Sequence, residues 1–240
     1  MRTNMHRLDR RYFLWTSGLF IAGCQASGGS GSLPDVAWPD VGGRPKPGSG
    51  PYVPDAAPTR TPSAGALGNG TAQSPYKRAA WTRSQPRQSN INRIGRIQRI
   101  TLHHDGFPQP FTRTGKADSA ARLELIRTSH TNRGWADIGY HYVVDRGGRV
   151  WEARPLTYQG AHVRDHNENN IGILMVGNFD LQLPSDPQLA SMQQIVQILS
   201  RRHNVAASRI HTHRELGPTS CPGKNLHPRI TAMRSNRQFT

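Results

Sequence analysis

Ile171-Gly172-Ile173-Leu174-Met175-Val176-Gly177 is an unbroken apolar run. A strand of this kind has to be covered on both faces, as in the interior of a sheet with helices above and below it. The segments around it supply the rest of such a sheet. Arg99-Ile100-Thr101-Leu102-His103-His104 predicts a strand on which Ile100, Leu102 and His104 point one way and Thr101 and His103 the other. Tyr140-His141-Tyr142-Val143-Val144 alternates as a strand, Asp145-Arg146-Gly147-Gly148 is a hairpin turn, and Arg149-Val150-Trp151-Glu152 returns. Ser208 to His213 is a short strand or extended edge. Helices are predicted over 117–132, Gln188 to His203 and Pro228 to Arg234. The first has Asp118 or Ser119 as cap and Ala121, Leu125 and Ile126 as apolar positions. The second sets Leu189, Met192, Ile195, Val196 and Leu199 on one face. Strands and helices interleave, so the fold class is α/β, a central mixed β-sheet flanked by helices.

The composition is uneven. Only 35% of the 240 residues are hydrophobic, and there are 24 glycines and 18 prolines. The apolar-poor part is residues 24–92, with pieces such as Gly28-Gly29-Ser30-Gly31-Ser32 and Pro45-Lys46-Pro47-Gly48-Ser49-Gly50-Pro51. Without apolar periodicity it cannot bury enough surface to offset its ordering entropy, and it is expected to be a disordered tether. About 65 such residues reach roughly 40–48 Å. Trp81 and the segment Ile91 to Ile97 have the composition to pack on the domain's edge. Residues 93–240 form the globular domain.

Residues 1–23 have the parts of an export signal: Arg10-Arg11, then an apolar stretch from Tyr12 to Gly23 that is short for a membrane span. Arg10-Arg11-Tyr12-Phe13-Leu14 resembles a twin-arginine signal, and Ile21-Ala22-Gly23-Cys24 resembles a bacterial lipobox. The second resemblance implies cleavage before Cys24, acylation of its sulfur and a firm membrane anchor. The protein is then expected in the cell envelope, facing the periplasm or cell wall. Cys24 and Cys221 are the chain's two cysteines, and the lipid on the first leaves no disulfide between them. The net charge of +16 favours polyanions in general, but no nucleic-acid recognition motif accompanies it, and export argues against DNA.

One stretch carries metal chemistry: His213-Arg214-Glu215-Leu216-Gly217-Pro218-Thr219-Ser220-Cys221-Pro222-Gly223. It sets an imidazole and a thiol eight residues apart across a Gly-Pro turn. That borderline-soft pair suits zinc. A catalytic zinc site has three protein ligands and an open position, so the chain must supply one more. His103 and His104 are the candidates. Neighbours on a strand cannot face the same metal, and the pattern alone does not choose between them.

Ile100-Thr101-Leu102-His103-His104, Gly134-Trp135-Ala136-Asp137-Ile138-Gly139-Tyr140-His141-Tyr142, Gly160-Ala161-His162, Asn169-Asn170-Ile171-Gly172 and the His213–Cys221 stretch occur in this order. Together they resemble the zinc-dependent N-acetylmuramoyl-L-alanine amidases, the superfamily shared by phage-type amidase lysozymes and peptidoglycan recognition proteins. The resemblance covers about residues 97–234. It implies that fold, Zn2+ as cofactor, and a peptidoglycan or muropeptide substrate cut between N-acetylmuramic acid and L-alanine by a monomeric enzyme. It implies His103, His213 and Cys221 as metal ligands, and Tyr140 and Thr219 as oxyanion stabilisers. His162 and Asn169 match positions where the family lines its peptide groove. The family has Lys or Thr two residues before the cysteine, and Thr219 has a hydroxyl but no charge.

His104, His130, His141, His166, His203, His211 and His227 are expected to be structural, as are Glu215 and the Asp145 hairpin. A non-catalytic wall-binding module on the same fold is the alternative. The resemblance implies that such relatives usually lack the cysteine, which is present here as Cys221. A basic polyanion binder is a third reading, distinguished by steep salt dependence.

Overall fold

The structure, a computed structural model, describes residues 74–239. The export signal, Cys24 and the tether as far as residue 73 lie outside the described residues. The elements are β1 (Arg99–His104), α1 (Lys116–Asn132), β2 (Tyr142–Val144), β3 (Val150–Glu152), β4 (Asn170–Met175), α2 (Asp186–His203), β5 (Ile210–Thr212) and α3 (His227–Ser235). The sheet order is β3-β2-β4-β1-β5. β4 is parallel to both β1 and β2, β5 is parallel to β1, and β3 is antiparallel to β2. The apolar run is thus the central strand, and every residue of β4 is buried.

Each face of the sheet has its own core. Ile100, Leu102, Ile171, Ile173 and Met175 meet Met192, Ile195, Val196 and Leu199 of α2 and Ile230 of α3. On the other face Val143 and Leu174 meet Leu123 and Ile126 of α1, with Trp151, Ile138 and Tyr140. Strand alternation delivers one set of side chains to each layer. Among the described residues, no helix is long and apolar enough to cross a membrane.

The two long helices differ in how well the sequence announced them. For α2, Ser185 and Gln188 form a capping box and Asn204 ends the helix in the left-handed conformation (φ 53°). Ser185→Ala is expected to cost about 1 kcal/mol, measured by urea unfolding. For α1 the expected cap is corrected. Gly115 precedes the first turn with no side-chain cap, and Asp118 and Ser119 lie inside the helix. The buried stripe is Ser119, Leu123, Ile126 and His130, while Ala121 is exposed. Ile126 lies on the buried face as expected and Leu125 packs beside it partly buried, so only Ala121 falls outside the face that apolar spacing suggests.

The expected tether boundary at 92 is also corrected, because residues 74–92 are folded onto the domain. The Tyr76 N–H donates to the Val150 carbonyl and the Glu152 N–H donates to the Tyr76 carbonyl, both at 2.8 Å. These bonds cover the free edge of β3, which would otherwise present unpaired backbone groups. Trp81 is buried, and its Nε1–H donates to the Glu152 carbonyl at 2.7 Å. Arg78 reaches the buried Asp137 at 2.9 Å. Arg78→Ala would leave that carboxylate buried and unpaired, for an expected loss of about 3 kcal/mol in urea unfolding.

Candidate metal centre

β1 ends in the middle of the sheet, where His103 and His104 face opposite cores. His104 turns to the α2 side, stacks on Phe179 and accepts the Phe179 N–H on Nδ1 at 3.2 Å. His103 turns to the α1 side and meets the segment after β5. There Thr212 and Glu215 form a capping box around the short 3-10 turn His213–Glu215, and Glu215 also pairs with Arg234 at 2.6 Å. The chain then doubles back, so that the Arg214 N–H donates to the Cys221 carbonyl at 2.9 Å. His103, His213 and Cys221 each place a ligand-type atom within 4.8 Å of the others. The strand geometry therefore selects His103, which the pattern alone left open.

The three groups are buried. Burial, then the neighbouring His213 and His162, pushes the His103 imidazole well below its ordinary value. Burial, then His104, takes His213 down to about 4. Both rings are neutral near pH 7 and hold a lone pair for a cation. Burial pushes the Cys221 thiol up, while the backbone N–H of His104 donates to its sulfur at 3.4 Å and supports the thiolate. Cys221 Sγ is 3.6 Å from His103 Nδ1. His213 Nδ1 is a buried nitrogen without a hydrogen-bond partner. Neutral imidazoles, a sulfur and an unsatisfied buried nitrogen fit a borderline-soft divalent ion.

Tyr140 is fully buried with its ring centroid 5.1 Å from that of His103. Burial, then Cys221, holds its phenol well above the ordinary value, so it remains an O–H donor. Thr219 lies in the loop between the two ligands, and its hydroxyl accepts the Cys221 N–H at 3.2 Å.

His162 and Asn169, the two residues expected along the peptide groove, lie at different places in the fold. His162 is fully buried and touches the cluster from behind. Its Nδ1 is 3.0 Å from His103 Nε2 and its Nε2 is 3.2 Å from the Asn170 carbonyl. Both ring nitrogens are thus within hydrogen-bond distance of protein atoms. Asn169 is not brought to the cluster. It sits before β4, beside Arg99 at the far end of β1, in the left-handed conformation (φ 55°). Its carbonyl accepts the Gln98 and Arg99 N–H groups. The signal for the role of His162 was present in Gly160 and Gly172, the two small residues that flank its ring.

Three further residues expected to be structural make hydrogen bonds within the fold. His141 accepts the Gly172 N–H on Nδ1 at 3.0 Å, and His130 accepts the Gly139 N–H at 2.9 Å. Asp145 holds its hairpin by accepting from the Gly147 and Arg149 N–H groups and from Trp151 Nε1–H.

A family profile described as N-acetylmuramoyl-L-alanine amidase matches residues 93–224. The chain belongs to that amidase family. Within it, the chain is similar to peptidoglycan-recognition protein SC2 of Drosophila melanogaster, 33% identical over 113 residues, covering 46% of this chain and 61% of that one. It is also similar to the N-acetylmuramoyl-L-alanine amidase of Sus scrofa, 34% identical over 131 residues, covering 53% of this chain and 22% of that one. The chain thus spans about three fifths of the fly relative and about a fifth of the porcine amidase. Among solved structures, Drosophila PGRP-LB shares the fold with a TM-score of 0.60 at 22% identity, covering 65% of this chain and 92% of that one. The amidase-family domain therefore has the mixed sheet with flanking helices that its motifs imply.

Proposed function

We propose that the chain is a zinc-dependent N-acetylmuramoyl-L-alanine amidase that hydrolyses the amide between N-acetylmuramic acid and L-alanine in peptidoglycan or muropeptides. The observation that carries this reading is the convergence of His103, His213 and Cys221 within 4.8 Å in a domain of the amidase family. Zinc, held by these three residues, would supply a Lewis acid and lower the pKa of a water to about 7. Water adds to the lactyl carbonyl, the C–N bond to alanine breaks, and the leaving nitrogen takes up a proton. Tyr140 and Thr219 donate O–H hydrogen bonds to the oxyanion that develops on that carbonyl oxygen. The protonated state of Tyr140 supports that part for it. In this proposal the domain works in the cell envelope, exported by residues 1–23 and anchored through a lipid on Cys24.

The second reading is a wall-binding module that does not cut, favoured by the relatives named as recognition proteins. Cys221 supports the enzyme, because a pure binder has no need of a sulfur between two imidazoles. Digestion of purified peptidoglycan with the full chain separates the two. The enzyme releases new amino groups, loses that activity to a chelator and regains it with Zn2+. Wall binding with no released amine in the presence of Zn2+ would establish the binding module instead.

A further inference from the structure

The contact between His162 and His103 gives His162 a task of its own. We propose that His162 is a positioning residue that fixes the tautomer of His103, so that His103 Nδ1 presents its lone pair to the metal. This rests on the metal site proposed above.

The assignment follows from what each group can do. A backbone carbonyl only accepts, so His162 Nε2, 3.2 Å from the Asn170 carbonyl, carries a proton. The rings facing His162 are His103, His141 and Tyr140, none of which brings a negative charge to support an imidazolium. In a neutral imidazole with its proton on Nε2, Nδ1 accepts. Its 3.0 Å contact then makes His103 Nε2 the donor. A neutral His103 has one ring proton, and this places it on Nε2. Nδ1, on the side of Cys221 at 3.6 Å, is left with the lone pair. Such a partner on the far nitrogen is how proteins orient metal-binding histidines and raise their basicity, although the partner is more often a carboxylate or carbonyl. Here a second imidazole relays the role from the Asn170 carbonyl.

The seat of His162 is built from several sides. Its backbone N–H donates to Asn167 Oδ1 at 2.7 Å. A Cβ on Gly172 would lie 2.5 Å from His162 Cδ2, and one on Gly160 would also overlap the ring. Gly172 is in the middle of the central strand, where glycine weakens pairing and marks a close approach. Asn170 is held in turn by a hydrogen bond of 3.0 Å between its Oδ1 and Thr101 Oγ1, and by donation from its Nδ2 to the His166 carbonyl at 2.8 Å.

The test is a long-range 1H–15N spectrum of the full chain labelled with 15N-histidine, recorded near neutral pH without and with Zn2+. A 15N–15N coupling across the His103–His162 hydrogen bond identifies the pair without any substitution. The expected result is protonated Nε2 on both rings, with the His103 Nδ1 signal moving on addition of Zn2+. Zinc affinity, read by competition with a chromophoric chelator, should fall about 10–100-fold in His162→Phe. His162→Asn, whose Oδ1 can accept the same N–H, should recover most of that loss. A proton on His162 Nδ1, or metal on His103 Nε2, would overturn the relay, as would wild-type zinc affinity in a folded H162F. If the wild type binds no Zn2+, the metal reading fails by itself, and the metal-free spectrum still decides the tautomers. If the variants do not fold, the wild-type spectrum decides alone.

Discussion

Cys221→Ser lowers zinc affinity and peptidoglycan hydrolysis together, each by more than the roughly 10–100-fold that loss of an outer partner costs. Cys221 is the soft member of the set, with its sulfur 3.6 Å from His103 Nδ1. Serine keeps the volume nearly unchanged, but its hydroxyl is a far poorer zinc ligand than a thiolate. The fold should survive, because the loop is held by backbone bonds such as that from Arg214 N–H to the Cys221 carbonyl. Circular dichroism, zinc titration and amine release on one preparation check the prediction. A Cys221→Ser protein with wild-type zinc affinity and activity would remove the cysteine from the ligand set.

The second large effect is acid unfolding of the metal-free protein. Burial holds the imidazoles of His104, His141 and His213 down at about 4, against an ordinary value of 6.5. His103, His130 and His162 are displaced further in the same direction, also chiefly by burial. Between pH 6.5 and 4 the unfolded chain therefore binds more protons than the folded one, and stability falls as pH falls. It is fully present above the unfolded value and is lost on the way down to the folded one. At pH 5 each of the three residues near 4 contributes a loss of about 2 kcal/mol. Their sum is on the order of 6 kcal/mol, comparable with the whole stability of an ordinary domain. Urea midpoints measured from pH 7 to 4.5 should drop steeply below pH 6. A flat profile would mean that these histidines are already protonated in the folded state, or are not buried in it.

How far the fold could be read from sequence varied with how much local chemistry each element carries. The β4 run and the face of α2 were legible because burial on two sides and a regular 3.6-residue stripe leave strong patterns. The face of α1 was not, because four of its six buried positions are Ser119, Ser129, His130 and Thr131, polar residues that only tertiary contacts bury. Residues 74–92 carry no apolar periodicity of their own. Their order depends on a distant strand edge at Val150 and Glu152 that offers Tyr76 its partners.

At the site, the His213–Cys221 loop was visible as a spacing, and strand alternation showed that His103 and His104 diverge. Which of them meets the loop depends on which face of the sheet receives it, and no local pattern contains that. His162 stands out in the sequence for its place in a motif, which does not show its contact with His103. A buried imidazole and a groove-lining one are the same letter in the sequence, and the hint that a ring is packed there is Gly160 beside it and Gly172 some ten residues on in the central strand.

Mass spectrometry of the products released from purified peptidoglycan by the zinc-loaded full chain tests the central claim most directly. The predicted products are free stem peptides beginning with an unblocked L-alanine amine, together with glycan strands whose muramic acid carries a free lactyl carboxylate. Both should vanish with a chelator. Products with new reducing sugar ends and intact muramoyl–alanine bonds, or the same peptides released undiminished without metal, would contradict it.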